Sequence, residues 1–167
     1  MVESALSAIQ GLLKQQYREE PGAAQVTLRA TGQLGEAVSC SVETGRGIAV
    51  AGLHAATGGD GQQLCSGNML LEALVACAGV TLCAVATAMS IVVRAGRIWA
   101  EGEIDFRGTL GVSRDTPVGF QRLSLHFDID TDAQPEAHKK LLELTGRYCV
   151  VYQTLRQPPV ITTNANA

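Results

Sequence analysis

The chain has 167 residues, room for one domain with a sizeable core, and 46% of them are hydrophobic, which excludes a disordered chain. Aromatics make up only 4% against 18 glycines, so the core must be built from small aliphatics, an arrangement that favours completion by a partner chain. A formal net charge of -3 with no basic run excludes nucleic acid as the main partner.

The opening "MVESALSAIQ" carries Glu3 and no basic stretch before an apolar run, so it does not read as a secretory signal. Over residues 3–19, Leu6, Ile9, Leu13 and Tyr17 recur at helical spacing, and Pro21-Gly22 stops the pattern. Short runs rich in β-branched residues follow, "QVTLRATG", "GEAVSCSVE" and "GIAVAGL". They predict an antiparallel meander over about 24–53. The glycine-rich "HAATGGDGQQLCSG" reads as a loop.

A long, nearly uncharged segment predicts a central helix over about 68–93. Two strands of clear alternation are expected within about 97–130. In the first, Ile98, Ala100, Ile104 and Phe106 share a face; in the second, Leu123, Leu125, Phe127 and Ile129 do. Helices and a Pro-initiated strand close the chain over about 134–163, with Pro135 in a first helical turn and Gly146 as the expected C-cap. Strands grouped apart from helices indicate an α+β fold, a single domain over 1–167 with a central helix on antiparallel sheet.

The five cysteines, Cys40, Cys65, Cys77, Cys83 and Cys149, form no CxxC pair and no ligand-like Cys/His spacing. A disulfide scaffold, a metal and a cofactor are therefore not expected, and a reducing cytoplasm is the simplest compartment. Cys40 and Cys83 lie in apolar surroundings and read as packing residues. Cys77 is the more pointed case, since it sits mid-way along the uncharged segment "LLEALVACAGVTLCAVATAMS". The segment is long enough for a membrane span, but it is dominated by Ala, lacks an aromatic belt and runs straight into amphipathic strands, so no membrane is expected. A helix apolar all round is instead one buried within protein. Periodicity leaves Cys77 open between a core thiol and a nucleophile.

Two segments bear on that choice. "SGNMLLEALVACAGVTLCAVA", approached by the glycine-rich "GGDGQQLCSG", resembles the cysteine-bearing central helix of the OsmC-like proteins, which include the organic hydroperoxide resistance proteins. "RYCVVYQTL" resembles that family's second cysteine segment, 72 positions later. The resemblance implies an intertwined homodimer with sheet wrapped around two central helices. It also implies a thiol peroxidase in which Cys77 is the peroxidatic thiol and Cys149 the resolving one. A small hydrophobic peroxide would be the substrate and a dithiol the reductant.

The sequence departs from the family's pattern in three places. The family's carboxylate at the start of the central helix has no counterpart in Cys65-Ser66-Gly67-Asn68, and the nearest acid is Glu72. No arginine stands in "AGLHAATGG", which leaves His54 or Arg46 as substitute donors. Val150 replaces the usual proline after Cys149. Cys65, in the loop of the missing acid, is a possible alternative resolving thiol. Without the carboxylate and arginine, a buried Cys77 thiol is expected to hold little thiolate at neutral pH. The alternative is then a non-catalytic small-molecule binding or stress-related protein on the same fold.

Overall fold

A computed structural model describes residues 19–20, 32–34, 39–44, 47–111 and 113–165. The expected helix over 3–19 and the strand run before Gly32 lie almost wholly outside these residues, as does Arg46. The chain divides into two compact units, residues 1–64 and 65–167.

The first unit holds β1 (Gly32–Leu34), β2 (Ser39–Thr44) and β3 (Gly47–Gly52), an antiparallel meander with Leu34 opposite Cys40 and Cys40 opposite Ala51. A short β4 (Leu64–Cys65) adds to the β3 edge of the sheet. The loop after β3 is more ordered than its glycines predict. It contains a 3₁₀ turn (Ala55–Thr57), capped by His54 and closed by Gly58 at φ 93. Gly59 must be glycine, because a Cβ there would run into the Leu53 carbonyl.

The second unit is built on α1 (Ser66–Ala88). Its run of Leu and Ala without proline is strongly helix-forming. α1 is long and apolar enough to cross a bilayer, and it is not buried all round as expected: Leu74, Ala78, Leu82, Val85 and Ala86 form one buried face, while Ala76, Val80 and Cys83 are exposed. The helix ends five residues before the expected limit. Ser90 takes a left-handed conformation at φ 55, its N–H donates to Thr87 O, and Ile91 N–H donates to Ala86 O at 2.9 Å. This is a Schellman stop made with serine instead of glycine, which is why composition did not announce it.

β5 (Val93–Ile104) then pairs antiparallel with β6 (Phe120–Thr131), with Ile98 opposite Phe127, Ala100 opposite Leu125 and Gly102 opposite Leu123. The outward face carries Trp99 stacked on His126, with centroids 4.9 Å apart, and Arg94 paired with Asp130 at 2.7 Å. Phe106 is not on the strand as expected. Asp105 caps a short α2 (Phe106–Thr109) by accepting the Arg107 N–H, and the Arg107 guanidinium holds the Asp105 carboxyl at about 2.

α3 (Pro135–Tyr148) starts on Pro135, with Glu136 in its first turn and Arg147 in its last, the charge order that suits a helix dipole. Its fully buried Leu141 meets Leu82, Val85 and Ala86 of α1, with Phe127 and Ile129 of β6 packed around them. Gly146 does not end the helix, which continues to Tyr148. α4 (Val150–Arg156) follows after one residue. The expected terminal strand is absent: residues 157–165 have no regular structure, and Val160 and Ile161 are exposed.

Candidate active site

The break between α3 and α4 falls on Cys149. Its backbone is extended, with φ -72 and ψ 110, so it serves both as the cap of α3 and as the residue preceding α4. It is nevertheless anchored on both sides. Its N–H donates to Thr145 O at 2.9 Å, and its carbonyl accepts the Gln153 N–H at 3.0 Å. Thr145 is itself buried and donates its hydroxyl to Leu141 O at 2.8 Å. An extended residue here interrupts the ladder of i→i−4 bonds, which frees the next N–H groups from helical partners. The vacated Gly146 carbonyl is taken by the Gln153 side chain at 2.7 Å.

The freed amides face Cys77. Burial pushes the Cys77 thiol up, but the N–H of Val151, the Cys149 thiol, the Thr81 hydroxyl and the N–H of Val150 together outweigh it, and the thiol lies below its ordinary value. Cys149 moves the other way. Burial and the neighbouring Cys77 sulfur raise it, and the Tyr152 N–H offsets this only in part. Two thiols 72 positions apart are thus neighbours with opposite tendencies: Cys77 to ionise, Cys149 to keep its proton. Access differs as well, since Cys77 is half-buried and Cys149 completely sealed.

The groups that lower the Cys77 thiol among the described residues are all neutral. Backbone amides stand among them, where the sequence pointed to charged side chains. Thr81 was legible in principle, one helical turn after Cys77. Val150 and Val151 act through the main chain, and side-chain chemistry gave no sign of them.

Glu72 is exposed and lines a shallow groove of about 470 Å³ with Asn68, Val75, Ile98 and Trp99. Cys65 caps α1 twelve positions before Cys77, about 18 Å away along the axis, too far for a disulfide within the chain. Cys83 is exposed instead of packed. His54 is occupied in its own loop, where Nδ1 accepts the Ala56 N–H at 3.0 Å. Among the described residues no cluster of His, Cys, Asp and Glu could hold a metal. A cavity of about 250 Å³ in the second unit is lined by Leu74, Leu123, Leu125, Tyr152, Leu155 and Arg156. Leu74 stands one turn before Cys77 in α1, and Tyr152 three residues after Cys149.

A sequence model described as OsmC-like protein matches residues 59–164, a span that includes both cysteine segments. The chain belongs to the OsmC-like family. No curated protein matches it significantly in sequence. Solved structures of the family share its fold at low identity. An OsmC-like protein from Mycoplasma pneumoniae is similar with a TM-score of 0.67 and 18% identity, over 80% of this chain and 90% of that one. An organic hydroperoxide resistance protein from Elizabethkingia anophelis gives 0.64 and 17%, over 81% and 91%. One from Legionella pneumophila gives 0.61 and 20%, over 80% and 92%. The family therefore includes proteins of organic hydroperoxide resistance, on the α+β fold described above.

Proposed function

We propose that this protein is a thiol-dependent reductase of organic hydroperoxides, acting through Cys77 and Cys149 as a homodimer in the reducing cytoplasm. The observation that carries the reading is the pairing of a half-buried, ionisation-prone thiol with a sealed, protonated one. The Cys77 thiolate attacks the terminal peroxide oxygen. An S–O bond forms as the O–O bond breaks, and the sulfur, oxidised by two electrons, becomes a sulfenic acid. The departing alkoxide takes the proton that Cys149 has kept and leaves as an alcohol. The Cys149 thiolate then attacks the sulfenic sulfur, forming a disulfide and expelling hydroxide, which solvent neutralises. A dithiol reductant restores both thiols and is itself oxidised to a disulfide. The leucines that line the second unit's cavity, Leu74, Leu123, Leu125 and Leu155, suit a peroxide with a hydrocarbon group.

The test is consumption of cumene hydroperoxide with dithiothreitol by the intact protein, Cys77→Ser and Cys149→Ser. Turnover is expected in the intact protein and lost in Cys77→Ser, and peroxide treatment without the dithiol is expected to leave a sulfenic acid on Cys77 in the Cys149 variant and a Cys77–Cys149 disulfide in the intact protein. An intact protein that neither turns over nor oxidises Cys77 would point to the non-catalytic binding protein instead.

The homodimer rests on α1. Ala73, Ala76, Val80, Cys83 and Thr87 are exposed at alternating spacings of three and four, a seam suited to a second helix, and Val80 is 74% exposed. Val80→Glu is expected to convert a dimer to a monomer in light scattering. A variant that keeps the wild-type mass would remove this seam from the interface.

A further inference from the structure

The proposed reaction depends on backbone donors at the Cys149 break, and a continuous helix would withdraw them. Residues 135–156 have every means to form one. Gly146 is tolerant, no proline interrupts 147–156, and both flanking segments are already helical. In a continuous helix the Val150 N–H would donate to Gly146 O and the Val151 N–H to Arg147 O. The break costs these bonds, so something must take the carbonyls' part. At Gly146 the replacement is a side chain: the half-buried Gln153 amide donates to that carbonyl at 2.7 Å, reaching back seven residues across the break. Gln153 also donates its own N–H to Cys149 O at 3.0 Å, so one residue ties both sides of the junction.

We infer that Gln153 is a positioning residue, which holds the chain open at Cys149 by occupying the Gly146 carbonyl and so keeps the Val150 and Val151 amides directed at the Cys77 sulfur. Without its side-chain donor, the Gly146 carbonyl is a half-buried acceptor without a partner, and the Val150 N–H is the nearest that helix geometry supplies. Healing the ladder removes donors from Cys77. The inference rests on the proposed reaction for its purpose but not for its test.

The experiment is iodoacetamide labelling of Cys77 in the reduced protein as a function of pH, read by mass spectrometry, for the wild type and Gln153→Met, with cumene hydroperoxide turnover measured alongside. Methionine keeps the length and bulk and lacks the donor. The labelling midpoint is expected to rise by about one pH unit, so that labelling below the midpoint slows roughly tenfold. Amide exchange at Val150 should slow at the same time as its N–H gains a helical partner. A purely structural role for Gln153 would lower thermal stability and leave the midpoint where it was. Gln153→Ala gives the same reading should the methionine variant not fold. An unchanged midpoint in a folded variant overturns the inference whether or not the wild type turns over peroxide. A raised midpoint in a protein without turnover upholds it and removes the proposed reaction.

Discussion

Cys77 and Cys149 are held by two very different pieces of chain. Cys77 lies in the interior of a 23-residue helix, where every nearby N–H already has a partner, so its own segment supplies the sulfur and one hydroxyl from Thr81. Cys149 lies where two helices part, and its segment supplies unpaired amides to a sulfur it does not carry. In the proposed reaction this division has the regular element present the nucleophile and the irregular one activate it. The groups acting on Cys77 among the described residues carry no charge. Amides and a hydroxyl favour a thiolate without the desolvation cost of burying an arginine.

The contrast can be sharpened first by pH. Cys77 lies below its ordinary value, so its thiolate persists to lower pH than that of an unperturbed cysteine. Cys149 lies above its own, so it stays protonated as pH rises, and burial keeps reagent away from it. Iodoacetamide is therefore expected to label Cys77 at neutral pH and leave Cys149 unlabelled. Thr81→Val should move the Cys77 midpoint up by roughly half a unit to one unit, the effect of losing one hydrogen bond to a thiolate. Thr87 and Thr145 offer a useful contrast, for each donates to the carbonyl four residues back, Cys83 O and Leu141 O, at 2.8 Å. Among the described residues Thr81 makes no such bond and is turned to sulfur. Equal labelling rates in the wild type and Thr81→Val would leave the backbone amides as the whole of the activation.

How much of this the sequence held follows from the same division. The central helix, both long strands and the pair of cysteine segments were legible because each writes a period or a motif into side chains. The serine stop at Ser90 was not, since its signal is a backbone angle that serine adopts only under the pull of Ile91 packing back on α1. The terminal "PPVITT" has the composition of a strand, yet pairing partners, not composition, make one, and among the described residues it has none. At the site, reasoning from side chains looked for an arginine, and named Arg46 and His54 as substitutes. Arg46 lies outside the described residues; the donors to Cys77 among those described include main-chain groups of two valines, a residue type that advertises no polar chemistry. Gln153 could have been noticed only by knowing already that the helix breaks four residues earlier.

The smallest expected effect tests the division most closely. Val150→Pro installs the residue that the family's second segment usually carries. The site is ready for it: Val150 is the first residue of α4, where proline is favoured, and Cys149 is already extended, as a residue before proline must be. The fold should therefore be kept, and the loss of unfolded-state freedom should raise stability by about 0.4–1 kcal/mol. Only one donor to Cys77 disappears, and it is the weakest of those acting on the sulfur. The labelling midpoint is expected to rise by less than in Thr81→Val, with thermal unfolding moving upward. A larger rise than in Thr81→Val would mean that the Val150 amide carries more of the sulfur's charge than the Thr81 hydroxyl. A fall would mean that proline tightens the break and aims the Val151 amide better, so that the geometry of the junction outweighs the number of its donors.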